Sequence, residues 1–358
     1  MVKILHSADF HLDSAFTALS ESRARQRRQE SRELMARMVD YANGQGVELM
    51  LLCGDLFDGA RVYAQTTEEL MAALGRFHGE VVIAPGNHDP YTHHSPYARE
   101  KWPENVHIFT QNQLEKLEFP QYNCVVYGAA FTSAEAGELQ LPDLSDDDRT
   151  VLLVLHGEAG VPNSRYRTIS VESLARSGAD YAALGHIHQY GGVLQAGNTC
   201  YAYPGCPEGR GFDELGEKGF LLGEVGKGTA ELRFIPFARR RYEQIEVDVT
   251  DRDAYEAASA ALAGCGDHIC RVILTGETDK SIDLRRLTQQ LSGCAWELEL
   301  RDHTRPKEDL WQHCGEDTLR GLFLAELRKE YDNADEARRR VIEQAARFGL
   351  AAMDNREL

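Results

Sequence analysis

Val81-Val82-Ile83-Ala84-Pro85-Gly86-Asn87-His88-Asp89 is an apolar run that ends in a glycine, an amide, an imidazole and a carboxylate. Such an ending packs poorly and is suited to presenting polar groups at the edge of a sheet. Taken alone, Gly86–Asp89 reads as an ordinary turn, with Gly and Asn at positive φ and Asp closing it. Four other strand-like runs end in the same way, and that repetition sets the ordinary turn aside. Val2-Lys3-Ile4-Leu5-His6 runs into Asp9-x-His11, and Glu48–Cys53 into Gly54-Asp55-x-x-Asp58. Val151–Leu155 ends at His156, and Ala179–Leu184 at Gly185-His186-x-His188.

In α/β sheets, sites assemble at the carboxyl ends of strands. Histidines and carboxylates together bind divalent transition metals through nitrogen and oxygen. Asp-x-His and His-x-His spacing turns two side chains of an extended segment the same way, so both can reach one ion. The candidate ligands are Asp9, His11, Asp55, Asn87, His156, His186 and His188. They exceed the four of a tetrahedral structural zinc site and include no thiolate. Two five- or six-coordinate ions sharing a carboxylate fit the set. Asp58 reads as a loop cap or as a carboxylate behind the ligands, and His93 and His94 as surface residues with substrate contact as the alternative.

The 358 residues, 42% apolar and 27% charged, fit a soluble globular chain with one large core plus additions, or with two to three domains. A net charge of −18 argues against a protein that coats itself non-specifically in nucleic acid. It leaves room for a nucleic-acid enzyme, because bound dications reverse the local field. The N-terminus lacks the apolar core of a signal peptide, and no apolar run reaches the ~20 residues of a membrane span. A cytoplasmic location without membrane contact is therefore expected. Cys53, Cys124, Cys200, Cys206, Cys265, Cys270, Cys294 and Cys314 form no C-x-x-C pair and lie mostly in apolar runs, so reduced, buried thiols are expected rather than disulfides or zinc ligands.

Along the chain, helices are predicted over 21–43, from Thr66, and over 170–177. The short glycine-rich runs up to Phe237 predict an antiparallel second sheet. After Arg239-Arg240-Arg241, which reads as an interdomain hinge, strands over 242–249, 269–274 and 295–300 alternate with helices over 254–262 and 284–291. That order suggests a separate small α/β unit. From Glu308 on, two helical apolar stripes follow, Leu319, Leu322, Phe323 and Leu327, then Val341, Ile342, Ala345 and Phe348.

The five motifs in this order resemble those of the calcineurin-like metallophosphoesterases, over about residues 1–237. Within them, the run Tyr203–Arg210, the α/β unit and the helical tail are similar to the SbcD-type DNA repair exonuclease family. The resemblance implies an α/β fold, a four-layer αββα sandwich over 1–240, an α/β capping domain over 241–305, and a helical region over 306–358 that docks an SbcC-like coiled-coil ATPase. It implies a two-metal DNA phosphodiesterase in DNA repair, a 3′–5′ exonuclease with single-strand endonuclease activity as an option, and homodimerisation as another. The ions would be Mn²⁺ first, with Fe²⁺, Mg²⁺ or Zn²⁺ as alternatives. By resemblance, Asp9, His11 and His188 hold one ion, Asn87, His156 and His186 the other, and Asp55 bridges them. His88 binds no metal, stabilises the transition state and protonates the leaving oxygen, while Asp89 orients it by accepting a hydrogen bond from its other ring nitrogen.

Arg23, Arg25, Arg27, Arg28 and Arg32 form a basic helix face beside Asp9-x-His11, with Arg23 and Arg27 as candidate DNA-phosphate contacts and plain solvation as the alternative. Residues 242–305 hold thirteen Asp or Glu against seven Lys or Arg, a composition at odds with a DNA grip. Two other functions use the same sequence differently. One is a small-molecule phosphoesterase, such as a nucleotide or cyclic-nucleotide phosphodiesterase; the other is a non-catalytic scaffold of an SMC-like ATPase.

Overall fold

The computed structural model describes residues 1–59, 61–307 and 309–353. It divides into two compact units. The first comprises Met1–Gln244, Gly264–Arg271 and Gly293–Leu298; the second comprises Ile245–Ala263, Val272–Ser292 and the chain from Glu299 on.

In chain order, β1 (Val2–Ser7), β2 (Leu49–Leu52), β3 (Glu80–Ile83) and β4 (Val106–Ile108) pair in parallel within one sheet. Helices α1 (Glu21–Gln45) and α2 (Ala64–Leu74) lie in its connections, and α3 (Pro96–Arg99) precedes β4. A second sheet begins with β5 (Glu115–Phe119), β6 (Cys124–Gly128) and β7 (Thr150–His156). A short ladder of β8 (Glu158–Ala159) and β9 (Thr168–Ile169) and the helix α4 (Val171–Ser177) come next. The second sheet then continues through β10 (Tyr181–Gly185), β11 (Val193–Ala196) and β12 (Thr199–Ala202). The hairpin β13 (Gly219–Gly226) and β14 (Thr229–Pro236) returns to the first sheet, whose order is β14-β13-β1-β2-β3-β4; the second runs β11-β12-β10-β7-β6-β5.

These strands are apolar almost throughout because both faces are buried. Side chains alternate across the pleat. Val2, Ile4, Leu49, Leu51 and Val82 share one cluster with Val126, Leu152, Val154 and Ala183 of the second sheet. Leu5, Met50, Leu52, Val81 and Ile83 point the other way, onto Leu34, Met35 and Met38 of α1 and Leu70 and Leu74 of α2. The far face of the second sheet packs Val151, Leu153, Ala182 and Leu184 against Leu174 of α4. The layers are therefore helix, sheet, sheet, helix.

The predicted antiparallel second sheet needs correcting. β6, β7, β10 and β12 are parallel, and the short runs after residue 190 divide between both sheets. The hairpin β13–β14 extends the first sheet beside β1, and the hairpin β11–β12 extends the second beside β10. Helix α1 matches its signals, with Ser20 accepting from Arg23 N and Gly46 at φ 67° closing it. Helix α2 starts two residues before Thr66, because Asp13 accepts from Tyr63 N (2.9 Å) and Thr66 Oγ1 (2.6 Å). That cap comes from a residue fifty positions away and has no local signal.

Strands β15 (Tyr242–Asp248), β16 (Ile269–Thr275) and β17 (Glu297–Asp302) form a three-stranded sheet in that order, with α5 (Ala254–Ala261) and α6 (Leu284–Gln290) in the connections. Within the second unit Val247, Val249, Ala257, Ala258, Leu262, Val272, Leu274, Leu287 and Leu291 are buried. It ends in the helix pair α7 (Leu319–Asp332) and α8 (Glu336–Met353), joined by Tyr331 Oη donating to Glu343 Oε1 at 2.8 Å. All eight cysteines are free; Cys200, Cys294 and Cys314 are half-buried and the others buried. Among the described residues no helix is long and apolar enough to cross a membrane.

Candidate metal centre

Five parallel strands, β1, β2 and β3 of one sheet and β7 and β10 of the other, deliver the motif residues at their carboxyl ends. The pairing of β1 with β2 continues past the strands, Asp9 N donating to Gly54 O (3.0 Å) and His11 N to Asp55 O (2.9 Å). Asp9, His11 and Asp55 take φ of 57°, 45° and 52°, and His186 takes 109°. Left-handed backbone at non-glycine residues costs on the order of 1 kcal/mol each and concentrates at functional sites. Gly86 is required by proximity rather than by its φ, which is not positive. A Cβ there would run into the Oδ1 and backbone nitrogen of Asp55.

The Asp89 carboxylate ties two of these loops together. It accepts from Gly86 N (2.8 Å), Asp55 N (3.2 Å), Leu56 N (2.7 Å), Phe57 N (3.1 Å) and Tyr97 Oη (2.6 Å). The loop carrying Asp55 and the one carrying Asn87 and His88 are therefore one rigid piece.

Four imidazoles converge with one nitrogen each turned inward. His11 Nε2 and His188 Nε2 lie 3.3 Å apart, with Asp9 Oδ1 3.8 Å from the latter. His156 Nε2 and His186 Nδ1 lie 2.9 and 3.2 Å from Asn87 Oδ1. Asp55 Oδ2 stands between the sets, 3.6 Å from His11 Nε2 and 3.4 Å from His156 Nε2. The outward nitrogens of three rings are already engaged. His11 Nδ1 meets Asp58 Oδ1 (3.1 Å), His188 Nδ1 meets Glu214 Oε1 (2.7 Å), and His156 Nδ1 meets Cys53 O (2.8 Å). Metal-ligating histidines characteristically give their second nitrogen to a carboxylate or carbonyl in this way. Asp9, His11 and His188 make one three-ligand group and Asp55, His156 and His186 another, so the donor chemistry fits two divalent ions.

Burial and charge pull these groups apart. Burial depresses the His11 imidazole, and burial together with the charge of His156 depresses His186. For His156 burial works downward but the Asp55 carboxylate outweighs it, raising the ring to about 9. Asp55 is held well below the usual carboxylate range by His156, against the effect of burial. Burial and then the Asp55 charge push Asp89 up to about 7. Both raised groups lend stability that is complete below their unfolded values and lost as pH rises through the folded ones. For Asp89 the loss runs from 3.8 to about 7, and for His156 from 6.5 to about 9. The depressed rings have finished titrating once the pH is well above 6.5, so from about 7.5 to about 9 the chelated protein should show a Tm that falls as the pH rises. Divalent ions, by countering Asp55 and favouring neutral imidazoles, should flatten the curve. A Tm of the chelated chain that rises across that window would contradict this electrostatic account.

The sequence profile of the calcineurin-like phosphoesterases matches residues 2–190, the segment that supplies every one of these inward-turned groups. The chain belongs to the calcineurin-like phosphoesterases. It is a metal-dependent hydrolase, and the phosphoesterase family uses divalent ions of the kind these clusters could hold. An uncharacterized metallophosphoesterase of Bacillus subtilis, YhaO, is 31% identical over 69% of this phosphoesterase and 63% of its own length. A DNA double-strand break repair protein of Aeropyrum pernix is 27% identical, covering 73% of this chain and 68% of its own. The SbcD component of the SbcCD nuclease of Rhodobacter capsulatus is 24% identical, covering 55% and 50%. The phosphoesterase thus aligns with half to about two thirds of the length of these relatives.

Two sequence expectations at the phosphoesterase site need correction. The expected hydrogen bond from His88 to Asp89 is absent among the described residues. Asp89 is buried and committed to four backbone amides and Tyr97, while His88 is exposed, with its backbone N donating to Asp55 Oδ1 (2.9 Å). The His88 ring stands edge-on to His11, with centroids 4.7 Å apart. Arg27, expected to meet DNA phosphate, is fully buried in ion pairs with Glu30 and Glu208. Arg23 is partly exposed, paired with Glu297 at 3.3 Å and stacked over Trp296. Asp58 lies behind His11 as one of its two readings had it, and His93 and His94 are exposed.

Sequence reasoning missed Glu214 and the position of Arg210 beside it. Arg210 donates to Glu214 Oε1 (2.7 Å) and Asp58 Oδ1 (3.2 Å), joining the carboxylates behind His188 and His11. It also missed Glu158, 3.4 Å from His186 Nε2, and Tyr166, whose ring is 5.0 Å from that of His186. The only local hint of Glu214 is an Arg-x-x-x-Glu spacing, which is common on any protein surface.

Proposed function

We propose that this phosphoesterase is a two-metal phosphodiesterase acting on DNA in repair, a 3′–5′ exonuclease. The observation that carries the two-ion reading is Asp55 Oδ2, within 3.6 Å of one inward imidazole nitrogen and 3.4 Å of another from the opposite set. Asp9, His11 and His188 would hold one ion, Asn87, His156 and His186 the other, with Asp55 shared; Mn²⁺ is the leading candidate. When bound, such a pair supplies Lewis-acid stabilisation of phosphate charge and a nucleophilic water at neutral pH.

The protein's own residues do the rest. Asp58, Glu214 and the Cys53 carbonyl fix the tautomers and planes of His11, His188 and His156. Asn87, a neutral amide, limits the negative charge on its side of the centre. His88, exposed beside His11, donates a ring proton to the departing 3′ oxygen and becomes neutral imidazole. Asp89 does not touch it and acts by fixing the loop from which His88 projects. DNA as substrate is supported by the repair protein of Aeropyrum pernix and the SbcD component of the Rhodobacter nuclease, the first of which aligns over 73% of the chain, well beyond residue 190.

In this reading residues 1–240 carry the chemistry, 241–305 cap the substrate and 306–358 dock a coiled-coil ATPase; Glu308 and residues 354–358 lie outside the described residues. The docking assignment is supported by Leu319, Leu322, Val341 and Phe348, all more than half exposed on α7 and α8. With Mn²⁺ the purified chain should release the labelled nucleotide from a 3′-labelled DNA strand, and stop when chelated. Leu322→Glu should keep that activity and lose ATPase co-purification. Efficient cleavage of bis(p-nitrophenyl) phosphate with every form of DNA left intact would refute the nuclease reading; co-purification unaffected by Leu322→Glu would refute the docking surface.

A further inference from the structure

Glu243 on β15, Cys270 on β16 and Cys265 in the turn before it bring two thiols and a carboxylate to one point. Their ligand atoms all lie within 4.8 Å of one another, and they share no residue with the phosphoesterase centre. Cys265 Sγ is 3.7 Å from Glu243 Oε2. Sulfur and oxygen ligands of one tetrahedral zinc ion are separated by about 3.6 Å, given Zn–S near 2.3 Å and Zn–O near 2.1 Å. The backbone holds the three in place: His268 N donates to Cys265 O (2.8 Å) and Ile269 N to Arg241 O (2.9 Å). Cys265 and Cys270 are 7% and 0% exposed, whereas Glu243 is half-buried, so the carboxylate side is the side open to solvent.

We infer that Glu243, Cys265 and Cys270 form a binding site for a thiophilic divalent cation of the zinc type. Binding replaces the two thiol protons: both sulfurs become thiolates, two protons leave to solvent, and a water completes the tetrahedron. Thiolate ligands select zinc-like ions over the Mg²⁺ or Mn²⁺ suited to oxygen-rich sites. The site therefore discriminates against ions that the nitrogen and oxygen ligands of the phosphoesterase centre accept. Its effect is a cross-link between β15, β16 and the turn that leads into β16. The inference does not depend on DNA being the substrate.

The test uses the whole chain, reduced, chelated and titrated with Co²⁺. Thiolate ligation produces a sulfur-to-cobalt charge-transfer band in the near ultraviolet, which nitrogen and oxygen ligands cannot produce. The expected result is a band whose final intensity corresponds to one thiolate-bound ion per chain, which is displaced by Zn²⁺, persists in His156→Ala and is absent from Cys270→Ser. Glu243→Gln, which spares both thiols, should weaken cobalt binding at least about tenfold. It provides a second reading should Cys270→Ser fold poorly. No band in the folded wild-type chain, or a band that survives replacement of both Cys265 and Cys270 by serine, would overturn the site.

Discussion

His88→Ala is expected to lower kcat for phosphodiester hydrolysis by about 10²–10⁴-fold, with divalent-ion content unchanged. His88 is the one motif imidazole exposed to solvent, where Asn87 and Asp89 on either side of it are buried, and one of its ring nitrogens lies within 4.8 Å of ligand atoms of His11 and Asp58. Its ring makes no hydrogen bond among the described residues, and only its backbone N is tied down, to Asp55 Oδ1 at 2.9 Å. Removing the ring should therefore leave the ligand cage intact and cost no fold stability. The loss should shrink for a substrate whose leaving group needs no proton, such as p-nitrophenolate, because a general acid helps only a poor leaving group. An equal loss for activated and unactivated esters, or loss of bound metal, would show that His88 acts on the cage and not on the proton.

Arg27→Met is expected to destabilise the first unit by roughly 3–5 kcal/mol, a Tm decrease on the order of 10 °C. Arg27 donates to Glu30 Oε2 (2.9 Å), Glu208 Oε1 (2.6 Å) and Gly209 O (3.1 Å). Arg240 closes the cluster with Nε to Glu30 Oε2 (2.9 Å) and Nη2 to Glu30 Oε1 (2.7 Å). All four side chains are buried, and two cations balance two anions. Removing one cation leaves a buried carboxylate without its partner, and that desolvation, rather than the lost attraction, dominates the penalty. Thermal denaturation with and without divalent ions measures the effect. A variant with unchanged Tm and weakened DNA binding would restore Arg27 as a phosphate contact.

The two positions mark how far local sequence carries. An arginine in a helix of mixed charge has the same local pattern whether it faces water or a buried glutamate far along the chain. Glu208 comes 181 residues after Arg27, and Arg240 comes 210 after Glu30, so no window around α1 contains the pairing. Asp89 fails for a related reason. A carboxylate next to a histidine suggests that it serves that histidine, but successive side chains diverge, and Asp89 turned inward to the amides of residues 55–57 while the His88 ring went to the side of His11.

By itself the sequence determined the fold class and the candidate ligands. Both follow from patterns written in consecutive residues: apolar runs long enough for strands buried on both faces, and polar motifs at the ends of five of them. Only the tertiary structure decided which groups stand behind the ligands. Glu214 behind His188, Asp58 behind His11, and Asp89 under the Asp55 loop depend on contacts between distant segments. It also decided that Arg27 is an internal counter-ion and that Glu243, Cys265 and Cys270 meet. Periodicity records which face of an element is apolar; the partner that a buried charge or thiol finds is settled only when the elements pack and water is excluded between them.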